Sequence, residues 1–195
     1  YQEMIDQSYN SGNEGCYQEV AGAGGAMDSV DASKFRVLNM LNTKYFIFPA
    51  GQQGQTVPVE NPYAYGNAWF VDKVQYVNNA NEEIDALNDI LPTETAVVDA
   101  KFKDQLKVWR KVTKTPYLPF SDQLWTESPG IWTSSAKMEV AVFSEIYYPG
   151  WQAKIDGQPV DIARADYILR VMNVPAGQHT IEMWFDRRAC MLRKA

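Results

Sequence analysis

The chain has 195 residues, enough for one sizeable domain or two smaller lobes. Its hydrophobic content of 46% and charged content of 22% are typical of a folded globular protein and argue against disorder. A net charge of -6 argues against nucleic acid as a partner, because phosphate binding depends on clustered Lys and Arg. No apolar run approaches the roughly 20 residues of a membrane-spanning helix.

The N-terminal third alternates between helix and strand signals. Residues 12–31, "GNEGCYQEVAGAGGAMDSVD", are rich in Gly and Ala and predict a flexible loop. In residues 31–42, "DASKFRVLNMLN", Phe35, Leu38 and Leu41 recur at helical spacing. The apolar run "TKYFIFP" follows directly and predicts a buried strand. A helix that leads into a buried strand indicates an α/β-type first lobe.

A second helix and two strand regions follow. The stretch "AWFVDKVQYV" predicts one strand or two, and "TAVVD" predicts another. Between them, "NNANEEIDALNDILP" predicts a helix with an Asn cap, acidic residues in its first turn and a stop at Pro92. Its apolar face is expected to consist of Ile84, Leu87 and Leu91.

The period of the hydrophobic pattern changes to two in the C-terminal part. The stretch "KMEVAVFSEIYY" places Met138, Val140, Val142, Ser144 and Ile146 on one face of a strand. "QAKIDGQPVDI" predicts a hairpin, and "YILRVMNV" and "QHTIEMWF" predict two more strands joined at Pro-Ala-Gly. Short strands without helices between them indicate an antiparallel sheet, half of a β-sandwich.

These elements predict an α+β protein, with an N-terminal α/β-type lobe followed by an antiparallel β-sandwich-like C-terminal lobe. We place the first lobe at residues 1–105, the second at residues 106–186, and a flexible basic tail at residues 187–195.

Few residues suit catalysis. The chain has one histidine, so no multi-histidine metal site is possible within it, and we expect no metal and no cofactor. His179 follows a turn and is expected to form hydrogen bonds at a strand edge. No serine nucleophile motif or phosphate-binding loop is present. Glu145, Asp156, Asp161 and Asp166 leave open a carboxylate pair of the glycosidase type, because the sequence does not give their separations.

The stretch "YYPGWQAKIDG" has two possible roles. As a structural corner, Tyr147, Pro149 and Gly150 end one strand, Trp151 opens the next, and Asp156-Gly157 forms a tight turn. As a ligand surface, aromatic faces would stack on sugars. Under the second interpretation, the carbohydrate-binding candidates are Trp69, Trp125, Trp132, Tyr148 and Trp151. Arg164 and Arg170 are expected to pair with Asp161 or Asp166, or to pack over Tyr167.

The two ends of the chain leave further expectations. The sequence starts at Tyr1 without an initiator Met or a signal peptide, and we expect it to be a fragment of a longer protein. Cys16 and Cys190 lie near opposite ends, where they either pair or remain free thiols.

Several motifs occur in the order seen in a known family. They are "VLNMLNTKYFI", "NPYAYGNAWFV", "AVVD", then the long run from "AVFSEIYYPGWQAKIDG" to "VPAGQHTIEMWF". Together they cover most of residues 33–186 and resemble the C-terminal extracytoplasmic segment of bacterial YfhO-like membrane proteins. One departure is "DRRACMLRKA", a basic segment where the family has a membrane helix.

The resemblance implies a polytopic parent similar to GT-C glycosyltransferases, which transfer sugar from a polyprenyl-phosphate donor to a cell-envelope acceptor. The catalytic carboxylate of that class lies in an early loop beside the first membrane helices, and no such segment is present here. The fragment is therefore expected to be non-catalytic. Its implied role is an extracytoplasmic accessory domain that partners the membrane-embedded parent and positions a cell-envelope glycan. The alternative is a structural or carbohydrate-binding module with no transferase parent.

Overall fold

A computed structural model describes residues 4, 14–49, 54–106, 130–133 and 139–186, with only the backbone described for 14–17 and 130–133. The fold is α+β, with a few short helices and mostly antiparallel strands, as predicted. The chain divides into two compact units, Tyr1–Gly66 and Asn67–Ala195. Among the described residues, no helix has the length and hydropathy needed to cross a membrane.

The first unit combines short helices with one β-hairpin. Asp31 caps the 3-10 helix Ala32–Phe35 by accepting a hydrogen bond from the Ser33 backbone N–H at 3.0 Å. In chain order the elements are α1 (Glu14–Gly22), two 3-10 helices (Met27–Ser29 and Ala32–Phe35), α2 (Arg36–Met40), β1 (Tyr45–Pro49) and the antiparallel β2 (Thr56–Glu60).

Two predictions for this unit were wrong. Residues 14–22 form α1 instead of a flexible loop, because Val20 is anchored in a small core with Phe35 and Phe46. Strand β1 is not buried, since only one of its faces meets that core and Tyr45 and Ile47 lie on the exposed face. The β1–β2 hairpin packs one face against the core of this unit and leaves its other face exposed to solvent.

The second unit contains a βαβ segment and two four-stranded sheets, one of which includes a strand that precedes that segment. The strands of the predicted β regions are all present within the described residues. In chain order the elements are β3 (Ala68–Val71), β4 (Lys73–Val77), α3 (Ala80–Ala86), β5 (Thr95–Asp99), a 3-10 helix (Ala100–Gln105), β6 (Gly130–Thr133), β7 (Glu139–Ile146), β8 (Trp151–Ile155), β9 (Gln158–Val160), β10 (Ala163–Ala165), β11 (Leu169–Val174) and β12 (Gln178–Phe185).

Two antiparallel four-stranded sheets form a sandwich. The first sheet has the order β10-β11-β7-β3, and the second sheet has the order β6-β12-β8-β9. Apolar side chains of both sheets share one core, with Phe143 and Met172 from the first and Ile155 and Ile181 from the second. The remaining two strands, β4 and β5, pair in parallel and are connected through α3. The predicted sandwich is confirmed.

The connections differ from the predicted ones. Strand β3 pairs with β7, so the sandwich includes residues that we had assigned to the first lobe, and the division into units falls at Gly66 and Asn67. The Pro-Ala-Gly connection does not form a hairpin, because β11 belongs to the first sheet and β12 to the second. Helix α3 ends at Ala86, which leaves Leu91 exposed. The predicted tail, 187–195, lies outside the described residues.

Candidate functional site

The aromatic corner lies between β7 and β8 and is built around the Pro149–Gly150 turn. The Trp151 N–H donates to the Tyr148 carbonyl at 3.3 Å, and the Asp186 N–H donates to the Gly150 carbonyl at 2.9 Å. Gly150 has a φ of 122°, and a Cβ built there would lie 3.0 Å from the Phe185 ring. Only glycine combines this backbone conformation with so close a neighbour. The turn therefore locks the ends of two strands together.

A buried arginine supports the corner from inside. The guanidinium Cζ of Arg170 lies 3.5 Å from the centroid of the Trp151 ring, a cation–π contact. Its Nε donates to the Ile146 carbonyl at 3.1 Å, and its Nη2 lies 3.3 Å from Glu145 Oε2. Burial lowers the pKa of Arg170 to about 10, a shift that Glu145 opposes, so the side chain stays charged at neutral pH. Arg170 thus covers one face of Trp151.

The other rings of the corner reach the surface. Phe185 contacts both Trp151 and Tyr148, with ring centroids 5.6 and 6.0 Å apart. Tyr147 is partly buried and packs edge-on against Phe102 at 5.9 Å. Tyr148 is exposed. The corner therefore has the geometry of a structural element, with aromatic surface remaining at its rim.

A second aromatic site lies on the outer face of the second sheet. Strand β12 directs Ile181 and Met183 towards the core, so Trp184 faces away from it and is 41% exposed. Across the strand pair, Trp184 is opposite Gln152, and Glu182 is opposite Lys154. The Lys154 ammonium lies 5.4 Å from the Trp184 ring centroid. We call Trp184, Gln152, Lys154 and Glu182 the sheet platform.

The structure separates the predicted carbohydrate-binding residues. Trp69 is buried, and its indole N–H donates to the Pro92 carbonyl at 2.7 Å, so it cannot reach a ligand. Tyr148 and Trp151 come together at the corner. Trp125 lies outside the described residues, and of Trp132 only the position in β6, opposite His179, is described. Trp184 was missed, although the alternation in "QHTIEMWF" places it on the face opposite Ile181 and Met183.

The predicted Asp156-Gly157 turn also carries a polar contact. Both residues have positive φ, 50° and 77°, as the tightest hairpin turn requires. The Asp156 carboxylate accepts a hydrogen bond from the Thr180 N–H at 2.8 Å and lies 2.6 Å from His179 Nδ1. Nε2 of His179 faces the Ala176 carbonyl at 3.0 Å. The hydrogen bond to Asp156 raises the pKa of His179, because both ring partners accept hydrogen and favour the imidazolium.

A carboxylate cluster lies beside the βαβ segment. Arg164 Nη2 contacts the buried Glu83 Oε2 at 2.5 Å and lies 3.9 Å from Asp99 Oδ2. The Tyr167 N–H donates to Glu83 at 3.0 Å, and the Arg164 guanidinium lies over the Tyr167 ring, with Cζ 5.7 Å from its centroid. The predicted packing on Tyr167 is therefore present, but the carboxylate partner is Glu83.

Asp166 belongs to the same cluster and is fully buried. Its Oδ1 accepts a hydrogen bond from the Val97 N–H at 2.8 Å, while Oδ2 has no partner. Burial raises its pKa to about 8, although the Val97 hydrogen bond opposes the shift. Because Asp166 and Glu83 are both inaccessible to solvent, a glycoside cannot reach this pair of carboxyl groups. The cluster is not a glycosidase site.

Comparisons with protein-family models, curated proteins and solved structures find no match for this chain. Among the described side chains, no group of three or more His, Cys, Asp or Glu is placed to hold a metal ion. The exposed aromatic sites are therefore the features of the described residues that point to a function.

Proposed function

We propose that this chain is an extracytoplasmic accessory domain of a YfhO-like membrane protein, and that its sheet platform holds a cell-envelope glycan for the parent protein. The observation that carries the proposal is the exposed indole of Trp184 on a flat strand face, surrounded by Gln152, Lys154 and Glu182. An exposed indole beside polar side chains offers both a ring for stacking and groups for hydrogen bonds.

The chemistry of the platform suits a sugar ring. The C–H face of a pyranose stacks on an aromatic plane, while an amide, an ammonium and a carboxylate can each bond to its hydroxyl groups. All four side chains are on neighbouring strands whose register is fixed by main-chain hydrogen bonds. Such stacking with a few hydrogen bonds gives dissociation constants of roughly millimolar to micromolar, about -4 to -8 kcal/mol.

The role we propose is to position a glycan, not to react with it. In this arrangement the membrane-embedded parent supplies the reactive groups, and the domain presents the acceptor outside the cytoplasmic membrane. The assignment to YfhO-like proteins depends on the ordered motifs of residues 33–186 and is part of the proposal.

A second candidate function is a purely structural module. The observation that favours it is the burial of Trp69 and the covering of Trp151 by Arg170, which show that two of the predicted sugar-binding rings stabilise the fold. The two candidates differ in what they expect of Trp184 alone.

Binding of the isolated chain to cell-envelope polysaccharides tests the proposal. We expect Trp184→Ala to weaken binding about tenfold, which corresponds to about 1.4 kcal/mol. The matched control is Tyr45→Ala, which removes an exposed aromatic ring from the other unit and should leave binding unchanged. Absence of binding at millimolar glycan, or equal affinities of wild type and Trp184→Ala, would leave only the structural module.

A further inference from the structure

The side chain of His179 joins two turns at one end of the second sheet. Its ring lies between the Asp156-Gly157 turn, which connects β8 to β9, and the connection from β11 to β12. Nδ1 lies 2.6 Å from Asp156 Oδ2, and Nε2 lies 3.0 Å from the Ala176 carbonyl oxygen. A Cβ built on Gly177 would lie 3.5 Å from Nε2, so the ring also packs against the connection. We call the two ring contacts the histidine latch.

Both ring nitrogens face oxygen atoms that accept hydrogen bonds and have no hydrogen to donate. A neutral imidazole has one N–H and one bare nitrogen, whereas the imidazolium has a hydrogen on each nitrogen. Only the imidazolium can therefore donate to Asp156 and Ala176 at the same time. In either neutral tautomer a bare nitrogen would face an oxygen at 3.0 Å or less, and that contact is repulsive. The geometry of the latch thus requires the protonated ring.

The groups around the ring favour the same protonated form. Asp156 acts as a carboxylate from the β8–β9 turn, and the carbonyl groups of Ala176 and Pro175 act from the β11–β12 connection. Strand β6 places Trp132 opposite His179, and tryptophan does not titrate. The hydrogen bond to Asp156 is the main reason that the pKa of His179 is raised from its ordinary value of 6.5, although burial opposes the shift. The same hydrogen bond lowers the pKa of Asp156.

We propose that the histidine latch is a pH-sensitive device, which holds the β11–β12 connection against the β8–β9 turn while the ring is protonated and releases that connection when the ring loses a proton. The contact with the carboxylate is charge-assisted and the shorter of the two, so the N–H that remains stays with Asp156. The Ala176 carbonyl then loses its donor. The Thr180 N–H, which donates to Asp156 Oδ1 at 2.8 Å, keeps the carboxylate in place during this change.

The connection that the latch holds is the passage of the chain from one sheet of the sandwich to the other, because β11 belongs to the first sheet and β12 to the second. Releasing Ala176 therefore loosens a link between the two sheets without breaking the pairing of β8 with β12. The inference depends neither on glycan binding nor on a membrane-embedded parent.

The directions of the two pKa shifts give the pH range in which the latch is closed. The stability from His179 is complete below its ordinary pKa of 6.5 and is lost as pH rises through the raised pKa of the folded chain. The stability from Asp156 is complete above its ordinary pKa of 3.8 and is lost as pH falls through its lowered pKa. The latch is therefore closed between these two ordinary values and opens at higher pH.

An NMR titration of the chain tests the proposal, because its one histidine gives ring signals that no other residue can overlap. We expect the midpoint of the His179 ring in the wild-type chain to lie above 6.5. The carbonyl carbon of Ala176 should shift with the same midpoint as it loses its donor. The backbone order parameter of Ala176 should fall there from about 0.85, a rigid value, towards the 0.6 of flexible backbone. That of Thr180 should stay high, since its N–H remains bonded to Asp156.

The variant Asp156→Asn separates the latch from the turn. Asparagine keeps an oxygen for the Thr180 N–H and suits the same tight turn before Gly157, but it carries no charge to hold the imidazolium. The midpoint of His179 should fall to about its ordinary value of 6.5, and the Ala176 signals should change at that lower pH.

The matched control is Asp161→Asn, which removes an exposed carboxylate between β9 and β10 and should keep the wild-type midpoint. Three results would each overturn the inference. They are a wild-type midpoint at or below 6.5, the same midpoint in wild type and Asp156→Asn, and Ala176 signals that stay constant through the midpoint. The first two are measured on the ring itself, so they do not depend on how far the connection moves.

Discussion

Arg164 and Arg170 lie directly opposite each other on β10 and β11, yet their surroundings contrast. Arg170 is buried against the Trp151 ring, and its carboxylate partner Glu145 is half exposed. Arg164 keeps part of its side chain in solvent, and its partner Glu83 is completely buried. At the aromatic corner the buried ion is a cation, and an aromatic ring stabilises it. In the carboxylate cluster the buried ion is an anion, and a cation stabilises it.

The contrast separates what depends on neighbours in sequence from what depends on the fold. Most of the corner comes from residues 147–157, where the turn and the aromatic residues are adjacent in the chain. The cluster joins positions far apart, with separations of 81 residues for Arg164 to Glu83 and 69 residues for Asp166 to Val97. Only the completed fold can bring those groups together. Breaking the ion pair of the cluster should affect stability most, because it leaves a buried charge without a partner.

The largest expected effect is that of Arg164→Met. This change leaves Glu83 buried without its cation, and breaking a buried pair in this way costs about 3–5 kcal/mol. Urea denaturation at neutral pH would measure the loss of unfolding free energy. The double variant Glu83→Gln/Arg164→Met should recover much of it, because no buried charge remains. A loss no larger than that of an exposed pair, about 1 kcal/mol, would contradict the interpretation of the cluster.

The next effect is a dependence on pH through Asp166. Its pKa is raised to about 8 in the folded state from an ordinary value of 3.8, so the folded chain holds a proton that the unfolded chain releases. The stability from this group is therefore complete below about pH 4 and is lost as pH rises through about 8. We expect the unfolding free energy to fall by roughly 3 kcal/mol between pH 5 and 8.

The variant Asp166→Asn should flatten that slope, since the amide does not titrate. Asp161→Asn, at an exposed position between β9 and β10, is the matched control and should keep the slope of wild type. Identical slopes for wild type and Asp166→Asn would show that this carboxyl does not control the pH dependence.

The smallest of the three effects is at the corner. Trp151→Ala should destabilise the second unit by about 2–3 kcal/mol, less than the roughly 3–5 kcal/mol of a fully buried Trp, because the ring is only partly buried. Trp151→Phe should lose less, since it keeps a face for Arg170. Thermal unfolding followed by circular dichroism measures both, and an unchanged melting temperature for Trp151→Ala would refute the structural role.

Local signals were sufficient for several elements. The Asn79 side chain caps α3 by accepting a hydrogen bond from the Glu82 N–H at 3.0 Å, and Asp156-Gly157 makes the predicted hairpin turn. These outcomes depend on residues a few positions apart. The sheet that each strand joins was not predictable in this way. A Pro-Ala-Gly connection has the same local sequence whether the two strands pair with each other or belong to different sheets.

The candidate sites show the same limit. The turn and the rings of the corner were predicted together, but the buried indole of Trp69 finds its hydrogen-bond acceptor 23 positions away, at the Pro92 carbonyl. The exposure of Trp184 could have been predicted from the alternation of side chains along the strand, once Ile181 and Met183 were assigned to the core face. Glu83 is an ordinary first-turn acidic residue in the sequence, and its buried ion pair depends on Arg164, 81 positions away.

The outer edge of the second sheet is poorly suited to pairing with a strand of another chain. Strand β9 is three residues long and has Pro159 at its centre, so its free edge offers little backbone for another chain to extend. Addition of a strand from a neighbouring copy is therefore disfavoured at this particular edge of the sandwich.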